Sequence, residues 1–211
     1  MKERRRARIL VVGGHSRKIG KTCLAVDLIR AFPEAAWTAV KITQHGHGLF
    51  AQEGENPRGG PTEPATALDE EHDRSNQTDS SRFLVAGASR SFWLRVKQSR
   101  LEEGLALLRA ELDKPGNVIL ESNTVLQFLK PSLYLLVLDP LQDDFKPSAR
   151  SAFDQADALV LRSPWRASPW RSVPQELVEA KPRFLQQFGE PLPAGLREFV
   201  RERFFSSGKA E

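Results

Sequence analysis

The stretch Ile9-Leu10-Val11-Val12-Gly13-Gly14-His15-Ser16-Arg17-Lys18-Ile19-Gly20-Lys21-Thr22 decides how the rest of the chain is read. Four aliphatic residues give way to small and basic ones, and these to Thr22 to Phe32, a segment apolar nearly all round. Strand, loop and helix start follow one another without a linker, which is the context a phosphate-binding loop requires. Small residues let backbone N–H groups wrap the phosphates of a ligand, and the helix N-terminus adds a favourable dipole. Lys21 supplies a cation and Thr22 a hydroxyl able to ligate magnesium. Nucleotide contacts are therefore expected from Gly14, His15, Ser16, Arg17, Lys18, Ile19, Gly20, Lys21, Thr22 and Cys23. Arg17 and Lys18 either add charge to bound phosphate or decorate the loop. Five residues rather than four separate Gly14 from Gly20, and in strict register His15 stands where the first glycine of the motif belongs.

Outward from the loop, aliphatic or β-branched runs alternate with helix-like segments: Trp37 to Ile42, Phe92 to Val96, Val118 to Leu120, Leu133 to Leu138 and Ala158 to Leu161. Runs that are apolar without strict alternation suit strands covered on both faces, so the predicted fold is an α/β sandwich around a largely parallel sheet. Ser99 and Glu102 are placed to form a capping box ahead of Leu101, Leu105, Leu108 and Leu112, which share one helical face. Leu196, Phe199, Val200 and Phe204 have helical spacing, so the C-terminal extension from about residue 172 is expected to be helical and to pack on the sheet. A length of 211 residues with 40% hydrophobic content suits one domain.

Two stretches break the alternation. From His45 to Ser81 there are five glycines, three prolines, many acidic residues and hardly an apolar run. Such a segment has too few apolar groups to offset the entropy of ordering, and we expect a mobile insertion that closes over the phosphates when nucleotide binds. The second is a tandem repeat, Ser163-Pro164-Trp165-Arg166 and Ser168-Pro169-Trp170-Arg171, whose prolines exclude a regular helix.

Composition narrows the setting. The net charge of +4, from 31 basic and 27 acidic residues, owes much to Lys2, Arg4, Arg5, Arg6 and Arg8, and does not by itself imply nucleic acid. No apolar stretch approaches the ~20 residues that span a bilayer. Cys23 is the only cysteine. It excludes an intrachain disulfide and a cysteine-rich zinc site, and a cytoplasmic location is expected.

In a parallel sheet the strand ends converge on the ligand side, so Lys41 and Glu121 are expected to face the same crevice as the loop. Glu121 closes Val118-Ile119-Leu120, where a carboxylate either holds magnesium or orients a nucleophile. Lys41 either grips a phosphate or anionic substrate, or is a strand lysine reaching for solvent. Asp79 is a candidate magnesium ligand or the N-cap of a helix containing Arg82. His45 and His47 point the same way in an extended segment, and His72 with Asp73 would be needed to complete a metal site. Asp139 before Pro140 reads as a turn cap. Trp165 or Trp170 is either a base-stacking ring or a packed one. Base identity, ATP or GTP, is not legible, because Arg162-Ser163-Pro164-Trp165 stands where guanine-reading proteins carry Asn-Lys-x-Asp.

These elements together carry a resemblance. The loop spacing resembles dethiobiotin synthetase. The order of the loop, Lys41-Ile42-Thr43-Gln44-His45-Gly46-His47, Asp79-Ser80-Ser81-Arg82 and Glu121 looks like the molybdopterin guanine dinucleotide biosynthesis protein B (MobB) family, over about residues 8 to 162. The resemblance implies a P-loop NTPase fold, a three-layer α/β sandwich with a mostly parallel sheet. It also implies catalytic roles for Lys21, Lys41 and Glu121, magnesium at Thr22, Glu121 and Asp79, and slow NTP hydrolysis in molybdenum cofactor maturation. Molybdopterin or a cofactor-biosynthesis protein would then be a partner, and a homodimer fits as well. An ATP-dependent small-molecule kinase or ligase and a non-catalytic nucleotide-binding adaptor stand as alternatives. His15, the long insertion, and Asn123-Thr124 where a glycine is usual depart from the family pattern.

Overall fold

The computed structural model describes residues 6–45, 66–97 and 100–206. The strands are β1 (Arg8–Gly14), β2 (Thr38–His45), β3 (Thr66–Glu70), β4 (Arg90–Lys97), β5 (Asn117–Glu121), β6 (Leu133–Leu138), β7 (Ala158–Leu161) and β8 (Arg183–Leu185). The helices are α1 (Lys21–Ala31), α2 (Asp79–Val85), α3 (Leu101–Leu112), α4 (Pro147–Ala152), α5 (Gln175–Glu179) and α6 (Ala194–Val200), the last prolonged by a π-helical turn at Arg201–Ser206. The strands form one sheet in the order β3-β4-β2-β5-β1-β6-β7-β8, parallel throughout except for β3.

Alternate residues of each central strand supply two separate apolar layers. Leu10, Val12, Ile119, Leu135 and Val160 face α1 and the C-terminal segment, where Leu24, Leu28, Leu196, Val200 and Phe204 close over them. Val11, Val118, Leu120, Leu136 and Leu159 face the other way, against Leu101 and Leu108 of α3, Phe153 and Val178. This is the three-layer arrangement expected of strands with no polar face. Each large side chain fully removed from water contributes about 1.5 to 3 kcal/mol, so the two layers dominate what holds the sheet.

All six expected strands are present, and two more occur where strands were not expected. β3 lies in the segment anticipated as mobile, and pairs antiparallel with the outer side of β4. Its Asp69 and Glu70 are exposed and bind Arg95 and Arg90 at 2.7 Å, so an edge strand is held by charge rather than by apolar alternation. Residues 46–65 of that insertion, with His47, lie outside the described residues. β8 interrupts the C-terminal extension, which is therefore not wholly helical. The expected helical face of α3 is correct, with Leu101 and Leu108 buried and Leu105 and Leu112 packed beside them. Arg100 precedes the helix without a side-chain cap, and the expected capping box rests on Ser99, which lies outside the described residues. Among the described residues no helix is long and apolar enough to cross a membrane.

Candidate functional site

Strand register brings the first group of candidates together. Glu121 ends β5 between its neighbours, aligned with Val12 on β1 and with Lys41 on β2. Thr22, in the first turn of α1, donates its hydroxyl to Glu121 Oε2 at 2.7 Å. Lys41 Nζ binds Glu121 Oε1 at 2.8 Å and Asp79 Oδ2 at 2.6 Å. Four residues from four elements thus form one continuous polar chain beside the loop. Glu121 is 3% exposed and Thr22 8%, so the chain lies at the foot of the crevice.

The electrostatics of this chain are mutually supporting. Burial works against the Lys41 charge, but the Glu121 and Asp79 carboxylates outweigh it and hold the ammonium above its ordinary pKa. Burial likewise opposes ionisation of Asp79, and Lys41, Arg82 and the Thr22 hydroxyl outweigh it, so its carboxyl titrates below the usual range. Asp79 is not the N-cap of its helix. Thr78 takes that place, accepting from Ser81 N–H while Ser81 returns a hydroxyl contact to Thr78 N–H, and this frees Asp79 to face Lys41.

The loop is framed by its flanks. Asn123, which departs from the expected glycine, grips Gly14 from both sides: its carbonyl accepts from Gly14 N–H and its amide donates to Gly14 O, each at 2.7 Å. His15 is fully buried. Its Nδ1 meets Asp144 O at 2.6 Å and its Nε2 accepts from Asp139 N–H at 3.0 Å, while the ring packs on Phe145 and Trp170. Burial lowers its pKa, in keeping with a neutral ring that carries its proton on Nδ1. The N–H groups of Gly14 and His15 are thus already engaged, the second by Val137 O, and both residues frame the loop. Ser16 donates to Asp144 Oδ2 at 2.7 Å, and Ile19 is buried in the core.

Beyond those anchors the loop turns back on itself. Lys18 at φ 57° and Gly20 at φ 84° take left-handed conformations, and Gly20 caps α1. Lys21 reaches back to Ser16 O at 3.2 Å. The first-turn N–H groups of α1 have no carbonyl one turn earlier to bind, so they face the mouth of the loop. Arg17 and Lys18 are exposed there. Lys146, whose own N–H binds His15 O, stands beside them; burial and the neighbouring Lys21 and Arg17 bring its ammonium down to about 8. Cys23 Sγ accepts from Arg82 at 3.5 Å.

Trp170 is buried and donates to Gln142 O, so it is a packed ring, and Trp165 joins the same apolar layer. Asp139 caps its turn, accepting from Leu141 N–H and the Ser163 hydroxyl. His72 and Asp73 are exposed, and no group of three or more His, Cys, Asp or Glu side chains suited to a metal occurs among the described residues. A cavity of about 630 Å³ between Leu126–Ser132 and Asp157 opens at the amino ends of β6 and β7, the edge of the sheet opposite the loop.

Sequence reasoning missed Arg162. Only 4% exposed, it donates to Ile19 O at 3.2 Å, Gly20 O at 2.6 Å and Gln186 O at 3.0 Å, and so ties the turn of the loop to the end of β8. Its one sequence signal was an arginine closing an apolar strand.

A central β1 running into a Gly-Lys-Thr turn and α1, in a parallel sheet with β5 and β6 on either side, defines the P-loop NTPase fold. No protein-family model matches the sequence, and none of the curated proteins matches it. Among solved structures, HypB from Helicobacter pylori in complex with nickel is similar over 97% of this chain and 90% of its own, at 17% identity and a TM-score of 0.56. LpxK from Aquifex aeolicus in complex with ATP is 18% identical with a TM-score of 0.46, over 85% of this chain and 53% of that one. The chain spans about half the length of LpxK.

Proposed function

We propose that this chain is a magnesium-dependent nucleoside triphosphate-binding protein that hydrolyses its nucleotide slowly. The observation that carries the reading is the chain Thr22, Glu121, Lys41, Asp79 at the foot of a Gly-Lys-Thr loop. The donor set fits magnesium, since it offers only hard oxygens, one of them a buried hydroxyl already oriented by a carboxylate. Thr22 and Glu121 would hold the ion, directly or through water, with Asp79 beside them. When bound, magnesium supplies neutralisation of charge on the terminal phosphates.

The chain's own residues do the rest by positioning. Lys21 and the first-turn N–H groups of α1 stabilise negative charge as it shifts on the transferring phosphoryl group. Glu121 fixes the Thr22 hydroxyl by accepting its hydrogen bond, which turns the oxygen lone pairs toward the crevice. Lys41, kept charged by two carboxylates, binds an anionic group on the β2 side. The resemblance to the MobB family extends this reading to assistance in molybdenum cofactor maturation in the cytoplasm, with molybdopterin or a biosynthetic protein as partner. The Lys41 position also suits a second reading, an ATP-dependent kinase or ligase acting on an anionic metabolite.

The test is magnesium-dependent nucleotide binding by Lys21→Ala. Unchanged affinity would sink the loop assignment. ATP turnover with and without a panel of small anionic metabolites separates the two readings, since a kinase or ligase shows large substrate stimulation and a slow NTPase does not.

A further inference from the structure

We infer that Phe188, over whose ring the Arg162 guanidinium lies, is the platform on which the nucleobase stacks, and that the protein consequently reads the base by its π-face and discriminates poorly between adenine and guanine. This deepens the nucleotide-binding reading and rests on it.

The argument begins with direction. Glu121, Lys41 and Asp79 lie on the β5 and β2 side of the loop. A triphosphate whose terminal phosphates are drawn to that side extends its base the other way, over the carboxyl ends of β6, β7 and β8. Phe188 lies there, in the turn that follows β8. It is a large apolar side chain left 54% exposed.

The ring is built into the loop rather than merely near it. The Arg162 guanidinium sits 5.0 Å from its centroid, and the same guanidinium donates to Gly20 O at 2.6 Å. A Cβ on Gly20 would meet Phe188 Cε1 at 2.5 Å, so the bare glycine makes room for the ring edge. Gln186, which accepts from Arg162, donates in turn to Asp27 Oδ2 on α1 at 2.8 Å, so the turn carrying Phe188 is braced against the helix that begins at the loop. Gly189 at φ 81° gives the turn the backbone freedom to present the ring. With one face against a cation and more than half of the residue exposed, the ring offers its other face to solvent. Stacking against an aromatic face is tolerant of base identity, because every base has such a face. The strand end where guanine-reading proteins carry Asn-Lys-x-Asp carries Arg162-Ser163-Pro164-Trp165, and the hydrogen bonds of Arg162 are spent on the loop and Gln186.

The experiment compares magnesium complexes of ATP, GTP and inorganic tripolyphosphate by calorimetry on wild type, Phe188→Ala and Phe188→Trp. We expect Phe188→Ala to weaken ATP and GTP alike, by roughly 5- to 150-fold, and to leave tripolyphosphate unchanged. Phe188→Trp retains nucleotide affinity, and its fluorescence is quenched by ATP and GTP but not by tripolyphosphate. Nucleotide affinity unchanged in Phe188→Ala, while tripolyphosphate still binds, overturns the platform and leaves the loop assignment standing. Equal weakening of tripolyphosphate and nucleotides shows Phe188 to be a prop of the loop, which also overturns it. Failure of tripolyphosphate and nucleotides to bind wild type removes the nucleotide reading, and this inference with it. A preference of more than about 100-fold for one base contradicts recognition by stacking alone.

Discussion

The two flanks of the phosphate loop solve the same problem, a buried cation, in opposite ways. On the β5 and β2 side Lys41 is balanced by two carboxylates at 2.8 and 2.6 Å. On the β7 and β8 side Arg162 ends its hydrogen bonds on neutral oxygens, the carbonyls of Ile19 and Gly20 and the Gln186 side chain. Paired charges exchange partners readily, since a phosphate or a cation entering the crevice competes directly with a carboxylate or an ammonium. A guanidinium forked over backbone carbonyls has geometry that no small ligand reproduces. The first flank is therefore the one that reacts to a ligand, and the second is the frame that holds the loop still.

The sharpest way to break this contrast is Glu121→Ala. It leaves the Lys41 ammonium with Asp79 alone and removes the 2.7 Å acceptor of the Thr22 hydroxyl. Removing one partner of a buried pair costs about 3 to 5 kcal/mol, so the midpoint of urea denaturation should fall strongly. A loss below about 1 kcal/mol would mean that the chain relaxes freely and is not a fixed site. Arg162→Met comes next. It keeps much of the side-chain volume but leaves the Gly20 and Ile19 carbonyls without a donor, and about 2 kcal/mol of stability should go with them. Proteolysis or hydrogen exchange should show the loosening in the Ile19 to Thr22 turn, and no change there would deny Arg162 its framing role.

Acid should distinguish the flanks further through His15. Its folded pKa is lowered by burial, whereas in the unfolded chain the ring titrates near 6.5. Between those two values the unfolded state binds a proton that the folded state refuses, so stability holds above pH 6.5 and declines as pH falls through the folded value. Thermal melts from pH 7 to 5 should show this decline, and His15→Gln should flatten it. The smallest effect is expected at the loop mouth. Lys146 is brought down to about 8 by burial and by Lys21 and Arg17, and a bound polyanion reverses that influence. Nucleotide affinity should then weaken by roughly fivefold as pH rises above about 8, with proton uptake on binding just above that value. Lys146→Met should bind with less pH dependence over the same range.

The sequence by itself determined the central sheet and the loop. β1, β5, β6 and β7 are buried on both faces, so their apolarity is continuous and local, and the Gly-Lys-Thr turn directly after β1 needs no tertiary contact to be recognised. Glu121 was legible for the same reason, as a charged residue closing an apolar strand, and Lys41 as the one charged residue in the run Trp37 to Ile42, although β2 continues past it to His45. The edge strands were not. β3 is held by Asp69 and Glu70 on arginines of β4, and the half-exposed β8 spans three residues, so neither carries the hydrophobic period that marks a strand. The frame of the loop was hidden because its contacts are distant in sequence and formed by polar atoms: Asn123 with Gly14, His15 with Asp139 and Asp144, Arg162 with Gly20, Gln186 with Asp27. Hydrophobic pattern specifies which residues leave water. It does not specify which buried donor meets which acceptor, and that choice was made only when the parallel strands brought their carboxyl ends together.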